Sequence, residues 1–228
     1  MTGDENHNNV APACVVVTIR EAAPTQTAAP APETPAVQAY VSDYTLLATL
    51  KTSGKKALKL GWTQVGGAEG YDVFFGVCNA GECRYLASVS GQSYKIGNLK
   101  AGSAFKAYVW AWKNVGGVKT YIGDPSPDVH AIVGGKSNKY TNPKSIGAKK
   151  KKLMLTVGGS KDVKAKLKKV SNNRNYLNHV AKVRYYSSDR AVVVVDAKGR
   201  VTGVGVGKCT VYAVAENGLR TSVKITVK

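Results

Sequence analysis

The chain has 228 residues, 43% of them hydrophobic, enough for two domains of roughly 90 to 100 residues that bury their own cores without a metal or a dense disulfide scaffold. Its net charge is +19, and it is unevenly spread: residues 1–40 carry −3, residues 41–135 carry +4, and residues 136–228, with 22 basic and four acidic residues, carry +18. The composition excludes a wholly disordered chain, and no apolar run approaches the roughly 20 residues of a membrane-spanning helix.

The chain starts Met1-Thr2-Gly3-Asp4-Glu5, acidic where a secretory signal would be basic, and its apolar stretch from Val10 to Ile19 is short and broken by Pro12. The chain is then either cytoplasmic or a fragment or mature form that has lost its signal, and the resemblances below favour the second. Cys14-Val15-Val16-Val17-Thr18-Ile19 has strand composition, but residues 21–38, EAAPTQTAAPAPETPAVQ, read as a proline-stiffened linker. Residues 1–40 are expected to form a disordered arm.

Residues 41–135 carry an all-β pattern. Leu58, Leu60 and Trp62 alternate with Lys59 and Gly61; Tyr71, Val73, Phe75 and Val77 form a second row; Phe105, Ala107, Val109 and Ala111 form a third. A period of two places each row on one face of a strand. Gly66-Gly67, Asn79-Ala80-Gly81, Lys100-Ala101-Gly102 and Gly116-Gly117 punctuate the rows as turns. The loop Cys78-Asn79-Ala80-Gly81-Glu82-Cys83 places two cysteines across a hairpin, a spacing that permits a disulfide, with reduced thiols as the alternative. The parity that turns the third row inward turns Tyr108, Trp110 and Trp112 outward, with Phe74 beside them. Such a row either stacks on sugars or peptides, or is covered by a domain interface, the linker or lysine stems.

Leu58-x-Leu60-x-Trp62, Gly70-Tyr71-x-Val73 and Leu99-Lys100-Ala101-Gly102-Ser103-x-Phe105-x-Ala107-x-Val109-x-Ala111 resemble a fibronectin type III domain over about 90 residues. The resemblance implies a two-sheet sandwich. Phe105 stands where the family usually has a tyrosine whose hydroxyl ties the strand corner to backbone.

Residues 136–228 begin a second all-β pattern. The run Ala148-Lys149-Lys150-Lys151-Lys152 leads into Leu153-Met154-Leu155-Thr156-Val157-Gly158-Gly159. Residues 161–169, KDVKAKLKK, alternate lysines with Val163, Ala165 and Leu167. Val192 to Val195 precede Asp196-Ala197-Lys198-Gly199, a tight-turn signature, and Cys209 to Ala213 and Val223 to Val227 complete the strands. In order and spacing these motifs resemble a bacterial immunoglobulin-like domain of group 2, with Tyr185 where the family often has Trp and Val193 where it often has Ala. The tandem order resembles the C-terminal regions of large secreted or surface proteins of Gram-positive bacteria, which implies an extracellular or cell-surface location.

The fold expected is therefore all-β: two tandem immunoglobulin-like β-sandwiches behind the arm. The basic surface of Lys149, Lys150, Lys151, Lys152, Lys164, Lys166, Lys168 and Lys169 is either a solubilising face or a site for a polyanion. A charge of +18 exceeds the magnitude of roughly 2 to 8 that solubility needs. Lysine outnumbers arginine 17 to 5 there, which fits charge attraction better than base reading. No nucleophile elbow, phosphate-binding loop or paired metal-ligating histidines occur, and His7, His130 and His179 are far apart in sequence, so no catalysis, metal or cofactor is expected. The leading expectation is a non-catalytic structural and adhesive module whose basic domain meets an anionic cell-wall polymer or glycan, with non-specific nucleic acid as a further polyanion. The rivals are a glycan- or host-protein-binding module using the aromatic row, and an accessory tail of a larger secreted enzyme.

Overall fold

The computed structural model describes residues 46–228; the arm expected over residues 1–40 lies outside the described residues. The first sandwich contains β1 (Ala48–Thr52), β2 (Leu58–Trp62), β3 (Gly70–Val77), β4 (Arg84–Val89), β5 (Ser93–Ile96), β6 (Ala104–Val115), β7 (Val118–Tyr121) and β8 (Val129–Ile132). β1, β2 and β5 form one sheet in that order, and β4, β3, β6 and β7 form the other, with β8 pairing the first half of β6. Three strands facing five, with β7 and β8 both paired to β6, is the arrangement that the fibronectin type III resemblance implies. The alternating rows explain it: β3 and β6 pair so that Tyr71 meets Ala111, Val73 meets Val109 and Phe75 meets Ala107, and these inward residues pack against Leu50, Leu58 and Leu60 of the opposite sheet. Phe105 stacks on Phe75 at 4.9 Å, while a different tyrosine ties the backbone: the Val65 amide donates to the Tyr71 hydroxyl at 3.0 Å.

The second sandwich contains β9 (Pro143–Ala148), β10 (Lys152–Leu155), β11 (Ser160–Asp162), β12 (Ala165–Lys169), β13 (Val183–Ser187), β14 (Val193–Val195), β15 (Arg200–Gly203), β16 (Gly207–Ala215) and β17 (Arg220–Val227). One sheet runs β10-β17-β16-β13, with β10 and β17 parallel; β11-β15-β14 and β12-β9 make the opposing layer. Leu153, Leu155, Val193, Val201, Val211, Val223 and Ile225 fill its core with Tyr185 and Cys209. The Asp196–Gly199 turn closes as its composition predicts: the Asp196 carboxylate accepts the amides of Lys198 and Arg200 at 2.9 and 2.8 Å. Gly199 has φ +85°, and a Cβ there would meet the Tyr185 ring at 2.6 Å, so both conformation and packing require glycine.

The two sandwiches interlock. The β16–β17 turn, Glu216-Asn217-Gly218, reaches into the first sandwich: the Leu50 amide donates to Asn217 O at 2.9 Å, the Thr49 hydroxyl to Gly218 O at 3.1 Å, and the His130 amide to Glu216 O at 2.8 Å. Leu47 packs on Tyr186 and Val214, and Arg184 donates to Asp128 O at 2.7 Å. The connection is also ordered. Asn142 is buried, and its side-chain amide clasps both the N–H and C=O of Ile132, at 2.8 and 2.9 Å. These bonds satisfy backbone groups that would otherwise lie buried without partners. No helix among the described residues is long and apolar enough to cross a membrane.

Candidate functional site

The lysines of the second sandwich stand where strand alternation puts them. Val163 is buried and Ala165 and Leu167 half-buried, while Lys164, Lys166 and Lys168 are exposed. Lys166 and Lys168 pair across β9 with Gly147 and Ser145, whose small size leaves a groove of about 410 Å³ edged by Lys149, Lys166 and Lys168. An adjoining groove of about 360 Å³ is lined by Lys149, Lys150, Lys161 and Lys164, with the carboxylate of Asp162 among them. Lys152 lies beside Lys224 on parallel strands, a like-charge neighbour pair that weakens the sheet unless something neutralises it. Among the described residues none of Lys149, Lys150, Lys152, Lys164, Lys166 or Lys168 is in an ion pair; the second sandwich has the exposed pair Arg200–Asp162 at 3.9 Å. Two of the expected lysines are engaged within the protein. Lys151 donates to the Thr221 hydroxyl, and Lys169 is half-buried, donating to Arg174 O over the ring of Tyr176.

The aromatic row lies on the outer face of the five-stranded sheet, and it closes on itself. Phe74 stacks on Tyr108 at 4.6 Å with Tyr85 edge-on, and Trp110 stacks on Tyr121 at 4.3 Å. The Trp110 indole donates to Gly123 O at 2.8 Å, and that of Trp112 to the Ser88 hydroxyl at 3.0 Å, with Lys119 over its ring. Beneath them Asp72, 1% exposed, takes Lys119 at 2.6 Å and the Tyr121 hydroxyl at 2.7 Å. Phe74, Tyr108, Trp110 and Trp112 are all half-buried by these contacts. The indole N–H groups of Trp110 and Trp112 and the Tyr121 hydroxyl are thus already used within the sheet.

The expected Cys78–Cys83 disulfide is not what the structure contains: both are free cysteines. Past the end of β3 the chain still follows β6, the Cys78 amide donating to Ala104 O, so its thiol turns towards β8, where Sγ lies 3.3 Å from His130 Nδ1. Cys83 sits over Gly76 with its thiol directed to Lys106 O at 3.6 Å. Sequence separation also hid what joins Cys78: His179, from the loop between β12 and β13, meets His130 edge-on at 5.4 Å, and the ligating atoms of Cys78, His130 and His179 all lie within 4.8 Å of one another. That loop is tied to the inter-sandwich connection by Thr141 N–H to Asn175 O at 2.8 Å and by buried Leu177. Burial pushes the Cys78 thiol up to about 12 and pulls His130 down to about 4, so at neutral pH they are a thiol and a neutral imidazole. The pair is therefore not an activated nucleophile, which needs a thiolate near neutrality.

Glu216 shares this junction. It is fully buried, and neither carboxylate oxygen has a hydrogen-bond partner of good geometry. Burial pushes it up to about 7, with the Leu177 amide and Lys182 working the other way. A carboxylate buried without good partners is charged at pH 8 at a cost to folding, and Glu216→Gln removes that charge, so it is expected to raise stability at pH 8 by about 1–3 kcal/mol, measured by urea unfolding. An unchanged or lowered midpoint would show that the carboxylate is better satisfied than its surroundings indicate.

Residues 144–227 match the family model of the bacterial Ig-like domain (group 2). None of the curated proteins matches this chain. Among solved structures, an Fn3-like protein from Clostridium thermocellum is 19% identical, covering 39% of this chain and 92% of that one, with a TM-score of 0.33. A human fibronectin type III domain is 16% identical, covering 44% and 80%, with a TM-score of 0.32. The C-terminal fragment of intimin, in complex with the intimin-binding domain of its translocated receptor, is 15% identical, covering 78% of this chain and 60% of that one, with a TM-score of 0.30. Domains of these two kinds are generally non-catalytic modules. Residues 144–227 are thus a bacterial Ig-like domain of group 2, carried behind a sandwich with fibronectin type III strand order.

Proposed function

We propose that this chain is a non-catalytic extracellular structural module of a bacterial surface or secreted protein, in which the first sandwich is a rigid spacer and the second docks on an anionic polymer. The observation that carries the reading is the pair of adjoining grooves edged by exposed lysines that have no ion-pair partner among the described residues. A solubilising face needs neither grooves nor like-charge neighbours such as Lys152 and Lys224. The interlocked junction supports the spacer role, because a stiff pair holds its basic end at a fixed distance from whatever precedes it. The aromatic face, closed on its own stacks, gives less support to capture of glycan or a host protein.

The test is binding of the chain to immobilised poly(glycerol phosphate). Affinity is expected to fall at least about tenfold between 50 and 200 mM salt, the behaviour of counterion release. Replacing Lys149, Lys150, Lys166 and Lys168 together by Gln should flatten that dependence while leaving the unfolding midpoint within about 0.5 kcal/mol of the parent. Binding that ignores salt, or that survives the four replacements, removes the docking role.

A further inference from the structure

We propose that Cys78, His130 and His179 form a binding site for a borderline-soft divalent cation of the zinc class, one that staples the second sandwich's loop to the first sandwich. Two ligands come from the first sandwich, at the end of β3 and on β8, and the third from the loop between β12 and β13 of the second. The donor set decides the class. One sulfur and two imidazole nitrogens suit zinc and its neighbours in the first transition row, whereas calcium and magnesium take oxygen ligands.

The geometry is close to what such an ion needs. With bonds of about 2.3 Å to sulfur and about 2.0 to 2.1 Å to nitrogen, a tetrahedron holds sulfur and nitrogen about 3.6 Å apart and two nitrogens about 3.4 Å apart. Cys78 Sγ and His130 Nδ1 are already at 3.3 Å, and all three ligating atoms fall within 4.8 Å. Closing the set takes a shift of roughly 1 Å by His179, an exposed side chain on a loop, and leaves the fourth position for water. On binding, the thiol gives up its proton to solvent and its sulfur donates the electron pair to the ion, with no change of oxidation state. The zinc–thiolate pair then carries one net positive charge. Glu216, buried at the same junction, and Asp128 lie near enough to Cys78 for their charges to interact, and they counter both the ion and the nearby Lys106.

The test uses the reduced, chelator-stripped chain carrying Cys83→Ser, which removes the neighbouring thiol that competes for Cys78. Cobalt(II) titration should give one ion per chain, with thiolate-to-cobalt charge-transfer absorption and the visible bands of a four-coordinate ion, and zinc should displace it. Adding Cys78→Ser abolishes the charge-transfer band although Cys14 and Cys209 remain. Adding His179→Ala weakens binding at least about tenfold, and zinc no longer raises the unfolding temperature. His179 is exposed, so this variant keeps its fold and remains a fair test. A cobalt spectrum unchanged by Cys78→Ser, or binding as tight in His179→Ala as in the parent, overturns the proposal.

Discussion

Gly218→Ala is expected to lower the stability of the two-sandwich unit by at least about 3 kcal/mol and to split one melting transition into two. Gly218 has φ +80°, where an L side chain costs about 1 kcal/mol. A Cβ there would also lie 2.1 Å from Ala48 O and 2.7 Å from Thr49 Cα. Those are backbone atoms of a strand already paired with β2, so no side-chain rotation relieves the clash. The turn has to withdraw. It then breaks the bonds from Leu50 and Thr49, about 1 kcal/mol each, and opens the Leu47, Tyr186 and Val214 contact. Each sandwich keeps a separate core, so loss of the junction uncouples the two without unfolding either. Gly158→Ala is the control: its φ is +79°, but no atom lies within 4 Å of the added Cβ, so it should cost only the conformational share. Calorimetry that finds the two variants alike would place the effect in backbone strain and remove the interlock.

The strands were legible because their physics is local. Alternation over three to five residues says which side chains meet a core, and it put Tyr108, Trp110 and Trp112 on the face opposite Ala107, Val109 and Ala111. Which strand pairs with which came only from the resemblance to known sandwiches. The junction was illegible, since its partners are remote in the chain: Thr49 and Gly218 are 169 residues apart, and no periodicity links them. Cys78, His130 and His179 were hidden for the same reason. The cysteine spacing misled in a different way. It fixes how many residues close the loop, but the chain at Cys78 follows β6 and brings its thiol to His130, and Cys78 and Cys83 stay free. Parity likewise gave the outward direction of the aromatics and not their mutual closure, which depends on Tyr121 of β7 and Ser88 of β4. Lys169 falls on the inward parity of Val163, Ala165 and Leu167, and Tyr176 and Arg174 O from the following loop hold its side chain there.

The second large effect is expected at Asp72, where the partner that is removed decides the sign of the pH dependence. Burial alone would raise the Asp72 pKa; hydrogen bonds from Lys119, Ser88 and Tyr121, with the charge of Lys119, outweigh it and bring it below the ordinary value of 3.8. A carboxyl held lower in the folded state contributes stability that is present above 3.8 and lost as pH falls through the folded value, so the parent should weaken only at pH below about 4. Asp72→Ala removes that dependence and costs about 2–3 kcal/mol. This is less than the about 3–5 kcal/mol of a fully buried pair, because the Lys119 side chain is 39% exposed and can turn to water. Lys119→Met is the harsher change. It leaves a carboxylate whose side chain is 2% exposed with two neutral donors in place of the ammonium, and burial, the largest single influence, then prevails. The folded pKa rises above 3.8, and the sign reverses: this variant should gain stability as pH drops from 7 towards 4, where the parent stays flat. Urea unfolding of parent, Asp72→Ala and Lys119→Met across pH 3 to 7 reads the three slopes. Parallel curves for parent and Lys119→Met would mean that Tyr121 and Ser88 alone hold the charge, and that the sheet's outer face does not depend on its lysine.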